Sequence, residues 1–187
     1  CSRSPVLPLW QAESPGTPIP AEAFDAYAVT GYFGGVLGVA EYEPLVQGWL
    51  SESLEKAQIE AAAAGLTGEA ADTYVAQHRN DHASALAAQD VRDGSLSGTP
   101  GALLDLTERV WPHHAKVARA YGLDLIVYEG GTHIVGLGAQ VDNAELTAFM
   151  HHFNYTPEMG QIYRELLEAW HELGGGLFTA YNDVYAP

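Results

Sequence analysis

Cysteine is almost absent from this sequence: the 187 residues hold one, Cys1, so no intramolecular disulfide and no cysteine-rich zinc site can form. Basic residues are nearly as scarce, with 8 Lys and Arg against 24 Asp and Glu and a formal net charge of −16. A surface that tracks nucleic-acid phosphates would have to be built against that field, which excludes nucleic acid as an expected partner. No apolar run approaches the roughly 20 residues that span a bilayer, and no basic amphipathic face suits an anionic membrane. Three catalytic signatures are also missing: the GxSxG elbow of serine hydrolases, the dinucleotide-binding GxGxxG and the phosphate-binding GxxxxGK[ST] loop.

What remains is a chain that is 47% apolar and long enough to bury a proper core as one domain over 1–187. Its first 22 residues carry Pro5, Pro8, Pro15, Pro18 and Pro20 and read as an extended lead-in without a core of its own. The opening Cys1-Ser2 fits a lipoprotein processed at its lipidated cysteine, and equally a segment cut from a longer protein.

Residues 24–33 (FDAYAVTGYF), rich in aromatic and β-branched side chains and ending at Gly34-Gly35, predict a first buried strand. From 51 to 92 the composition turns to Ala, Glu, Gln and Leu, interrupted at 65–68 (GLTG). Two helices joined by a turn are expected there, forming with the loop to residue 101 a mostly polar helical-hairpin insertion over 51–101, beside the site rather than in the core. A further helix is expected over 102–121, kinked or restarted at Pro112 and stopped at Gly122.

Residues 123–128 (LDLIVY) form an apolar run of strand length, the pattern of a parallel strand covered on both faces. Asp142 and Glu145, three apart, resemble a capping box ahead of a helix over 144–153, and Thr156-Pro157 opens another to about 173. The last strand is expected over 177–181 (LFTAY). Strand, helices, strand, helices, strand is the order of parallel βα units, so the fold class is α/β. Three core strands are too few for a closed eight-stranded barrel, and the units look like the C-terminal part of one.

Parallel sheets bind ligands at the carboxyl ends of their strands, which directs attention to Tyr32, to Glu129 and His133 after LIVY, and to Asn182-Asp183 after the last strand. Glu129 is the sharpest candidate, a carboxylate at a rigid strand end with Gly130 and Gly131 leaving room for a substrate. Only Arg109, Lys116, Arg119 and Arg164 follow residue 100, so pairing with a basic group is not automatic. Tyr32 and Tyr128 offer a hydroxyl or an aromatic platform against the alternative of simple core packing, and His133 can orient the carboxylate or bind a hydroxyl.

Eight histidines, among them His78, His82, His113-His114 and His151-His152, raise a metal-dependent hydrolase as an alternative. Neighbouring His on a helix diverge by about 100°, and the run HRNDH lacks the Glu of the HExxH motif, so no metal ligand set and no cofactor is assigned.

At 127–136 (VYEGGTHIVG), 157–184 (PEMGQIYRELLEAWHELGGGLFTAYNDV) and 25–35 (DAYAVTGYFGG) the sequence resembles a group of large secreted bacterial proteins. These are often described only as hypothetical or cellulose-binding, and their cores are similar to glycoside-hydrolase (β/α)8 barrels. The resemblance implies that the three strands are barrel strands six, seven and eight, and that Glu129 is the nucleophile of a retaining glycosidase. Tyr32, Tyr128, His133, Asn182 and Asp183 would then line a site for an oligo- or polysaccharide, in a secreted or cell-surface protein. In that clan the acid/base Glu follows strand four as Asn-Glu, a dipeptide that occurs nowhere here. The second carboxylate is therefore expected from the upstream half of the same barrel or a complementary chain, with Glu41, Glu43 and Asp183 as the alternatives within this one. A noncatalytic carbohydrate-binding scaffold is the competing expectation.

Overall fold

The computed structural model describes residues 20–99 and 102–181, so Cys1, Asn182 and Asp183 lie outside the described residues. Three strands, β1 (Ala26–Phe33), β2 (Asp124–Thr132) and β3 (Phe178–Ala180), form one parallel sheet in the order β1-β2-β3. Between β1 and β2 lie α1 (Glu43–Ala63), α2 (Glu69–His78), α3 (Asp81–Asp93) and α4 (Trp111–Ala120); between β2 and β3 lie α5 (Ala144–Asn154) and α6 (Pro157–Glu172). Parallel crossovers are right-handed almost without exception, so a sheet wound in one direction carries its helices on one side. The burial pattern agrees with that winding. Tyr27, Val29, Phe33, Leu125 and Val127 are buried with the helices in a single core, whereas Ala28, Thr30 and Thr179 on the alternate positions are exposed. The expected cover on both faces of β2 is thus found on one only: Ile126 is half-buried and Tyr128 exposed.

The helices follow from their sequences. In α1 the buried positions Val46, Trp49, Leu50, Ser53, Ala57 and Ala61 recur at helical spacing, and Pro44 sits in the first turn, where no N–H is needed. The helix starts eight residues before its expected beginning. The stretch from 51 to 92 contains parts of three helices rather than two, because the chain breaks at 79–80 as well as at the glycines. Nor does the expected polar hairpin beside the core describe it: Ala83, Ala87, Ala88 and Val91 of α3 belong to the main core, together with Val46, Trp49 and Leu50 of α1 just ahead of the stretch. Alanine spacing that looks weakly apolar in sequence lets two helices approach closely, and Ser53 Oγ accepts the Ala83 N–H at 3.1 Å where they meet. Arg92 then clamps α3 to α6, donating to both oxygens of Glu165 at 2.8 and 2.9 Å and pairing with Glu158 at 2.7 Å. This pairing holds the Glu165 carboxyl below the usual carboxylate range.

The Pro112 irregularity takes the form of a π-helical turn over Leu106–Val110 just ahead of α4, which accommodates a residue that has no N–H to give. Gly122, at φ 68°, ends α4 as expected: its N–H reaches the Arg119 carbonyl and the Leu123 N–H that of Ala118. The Asp142–Glu145 capping box does not form. Asn143 is the cap of α5, its side chain accepting the Leu146 N–H at 3.1 Å, and Thr156 caps α6 through the Met159 N–H at 3.2 Å. Among the described residues no helix is long and apolar enough to cross a membrane.

One core contact carries a pH dependence. The buried Tyr27 hydroxyl lies 2.8 Å from His114 Nδ1, and burial, with His113 alongside, lowers the His114 pKa. The unfolded imidazole takes up a proton near pH 6.5, and the folded one only at lower pH, so in that window the unfolded state binds more protons. Stability is therefore expected to fall as pH drops below about 6.5. Urea midpoints at pH 7.5 and 5.5 should differ by less in His114→Gln than in the parent; an unchanged difference would remove His114 as the cause.

Candidate functional site

The register between β1 and β2 steps once. Val29 lies opposite Val127, but Thr30 lies opposite Glu129, so Tyr128 is an extra residue bulged out of β2. Between β2 and β3 the ladder steps over the same stretch, from Val127 opposite Phe178 to Gly130 opposite Ala180. Side chains on a strand alternate with a period of two, so without the bulge Glu129 would follow Leu125 and Val127 onto the core face. With it, Glu129 shares the open face with Thr30 and Tyr32.

There the Tyr32 hydroxyl donates a hydrogen bond to Glu129 Oε1. Burial and the adjacent carboxylate push the Tyr32 hydroxyl well above the usual phenol range, so it stays a protonated donor at neutral pH. The Tyr32 ring meets His133 at 5.5 Å and the edge of Tyr181 at 6.4 Å between centroids. Tyr181 is tied down by its own N–H, which donates to the Gly130 carbonyl at 2.8 Å. Tyr128 is exposed at the bulge. Among the described residues, Glu129 is the carboxylate that acts on Tyr32, alongside Tyr181 and Tyr128.

Two details differ from expectation. Glu129 lies within β2, which runs on to Thr132, rather than just beyond the strand. The glycines behind it are required by packing. A Cβ on Gly130 would come within 2.9 Å of the Gly31 backbone, and one on Gly131, at φ 139°, within 2.7 Å of the Tyr163 hydroxyl. On the core face the rings of Trp111 and Phe178 close over Gly31, and the Trp111 indole N–H donates to the Thr30 carbonyl at 3.3 Å, at the register step. The bulge that aims Glu129 is therefore held from behind by an aromatic cluster.

Of the candidate residues, Tyr32 touches both Glu129 and His133. Asn182 and Asp183 lie outside the described residues, and their neighbour Tyr181, which sequence reasoning passed over, supplies the β3 contribution. Of the alternative acids, Glu43 is committed elsewhere: its carboxylate accepts from Gln47, Gln140 and Asn143 at 2.9, 2.7 and 2.8 Å and joins α1 to the loop before α5. Glu41 is exposed in a 3-10 turn after β1. The histidines are dispersed in their contacts, His78 with Asp81, His82 with Glu52, His114 with Tyr27. Among the described residues no three His, Cys, Asp or Glu side chains converge as metal ligands would.

No family model, no curated protein and no solved structure matches the chain.

Proposed function

We propose that this chain carries the nucleophile side of a retaining glycoside hydrolase, with Glu129 as the nucleophile. The observation that carries the reading is the hydrogen bond from Tyr32 to Glu129 on the open face of a parallel sheet. A carboxylate held by one donor keeps a second oxygen for attack on an anomeric carbon. Rings such as Tyr32, Tyr181 and Tyr128 suit the C–H faces of a sugar, and His133 suits its hydroxyls.

Retaining hydrolysis also needs an acid/base carboxyl about 5 to 5.5 Å from the nucleophile. The open face favours its arrival on further βα units, because a parallel sheet wound in one direction buries its bare side by closing into a barrel. Those units belong, on this reading, to the upstream half of the same barrel or to a complementary chain, in a secreted or cell-surface setting. That Glu129 is the one carboxylate at the site among the described residues also favours a second reading, a noncatalytic carbohydrate-binding scaffold.

A 2-deoxy-2-fluoroglycosyl fluoride separates the two. The Glu129 oxygen forms a bond to the anomeric carbon as fluoride departs with its electron pair, and no proton donor is needed. Mass spectrometry of the full chain, treated with the gluco, galacto, manno and xylo reagents, should find the sugar esterified to Glu129. Binding of the parent sugars without any adduct would favour the scaffold, and an adduct on another carboxylate would overturn the assignment. Removing the Tyr32 hydroxyl in Tyr32→Phe takes away a charge-assisted hydrogen bond of about 1.5–3 kcal/mol and should slow labelling roughly 10- to 100-fold.

A further inference from the structure

At the carboxyl end of the sheet, β1 and β2 run out into two loops, 34–42 and 133–143, that are bonded to each other. His133 N–H donates to the Phe33 carbonyl at 2.8 Å and Leu137 N–H to that of Gly38 at 2.9 Å. A Cβ at Gly38 would fall 1.7 Å from the Val135 carbonyl oxygen, so the two backbones are in contact. This clasped pair of loops displays Val39, Val135, Leu137 and Val141, exposed by 36%, 46%, 37% and 57%. Isolated exposed aliphatics are ordinary on any protein, but four on two joined loops at the ligand end of a sheet form a patch.

The patch leads into a cavity of about 240 Å³ lined by Ile134, Val135, Val141 and Met150, with His151 and Asn154. It has room for one aryl ring or a short alkyl chain. Three polar side chains share the lining: Asn154, whose Oδ1 accepts from the Thr132 hydroxyl and whose Nδ2 donates to the Ile134 carbonyl, Thr147, whose hydroxyl donates to the Val141 carbonyl, and His151. Continuity with the candidate site runs through one tight turn. Val135 N–H donates to the His133 carbonyl at 3.1 Å, which turns Ile134 into the core and leaves His133, in contact with Tyr32, and Val135 outside.

From this we infer that the site takes glycosides whose leaving group is alkyl or aryl: the sugar lies against Glu129 and Tyr32, and the apolar aglycone on the clasped loops and in the cavity. The inference rests on the carbohydrate reading above. Its test is equilibrium binding to the full chain, by calorimetry, of methyl and hexyl glycosides of glucose, galactose, mannose and xylose in both anomers, with 1-hexanol as the sugarless probe. Each methylene buried is worth about fourfold in affinity at most, so even partial burial of the chain should make hexyl at least about tenfold tighter than methyl for the accepted sugar. That gain should vanish in Val135→Asp and in Val141→Asp, exposed positions whose change leaves the methyl glycoside's affinity as it was. Equal affinities for methyl and hexyl would overturn the aglycone site and leave the sugar reading standing. Equal affinities for hexanol and hexyl glycoside, unaffected by Glu129→Gln, would show an apolar cavity unconnected to the sugar site and overturn the inference. Binding of no probe at all would overturn both.

Discussion

Deleting residues 51–101 is expected to unfold this protein. The deleted stretch removes α3, whose Ala83, Ala87, Ala88 and Val91 pack into the main core, and strips cover from Val46, Trp49 and Leu50 of α1. It also removes Arg92 and so leaves Glu158 and Glu165 of α6 without their shared partner. Truncating one large buried side chain costs about 2–5 kcal/mol, and a domain of this size is stable by only about 5–15 kcal/mol. Loss of a whole helical layer exceeds that margin. Circular dichroism of the deletion variant should show no cooperative thermal transition and no near-ultraviolet aromatic signal. A native-like cooperative transition would restore the hairpin to an accessory placed beside the core.

Replacing Glu129 by Gln is expected to abolish labelling by the fluorosugar, with a loss of at least about 10³-fold in rate, as befits removal of a nucleophile. An amide oxygen matches the carboxylate in size and still accepts from the Tyr32 hydroxyl, so the fold should be untouched. Thermal stability near that of the parent, together with lost labelling, isolates the chemistry from the scaffold. Ordinary glycosides, whose leaving oxygen needs a proton, should stay intact with this 187-residue chain alone. On the proposed reading they should turn over in a protein that joins this chain to further βα units bearing an acid/base carboxyl, and again fail with Glu129→Gln. Full labelling of the Gln variant would transfer the role to another residue. Turnover of ordinary glycosides by this chain without added units would place the acid/base within it, at Glu41 or Asp183 before Glu43, whose carboxylate is already bound by three donors.

Much of the fold was legible in local pattern. Strand runs with β-branched and aromatic residues, the Gly122 stop, Pro157 in a first turn and the alternation of strands with helices all act over a few residues. The failures were of a different kind. Asp142 and Glu145 had capping-box spacing, yet Asn143 made the cap, because Gln140 and Asn143 are drawn toward Glu43 nearly one hundred residues earlier in the chain. The alanines of α3 looked like a solvated helix because small residues register weakly on any apolar scale, although close helix packing requires them.

The sequence by itself determined the parallel α/β class, the acidic surface and the neighbourhood of Tyr32, Glu129 and His133, since strand ends of parallel units gather on one side. Only the tertiary structure decided which face Glu129 looks onto. That choice turns on one extra residue at Tyr128, and alternation along a strand makes a single residue enough to exchange core for open face. The bulge depends on partners far along the chain: Gly31 opposite Gly130, and Trp111 bonded to Thr30 from behind. No local run of β2 encodes them, because the extra residue has meaning only against the strand with which β2 pairs.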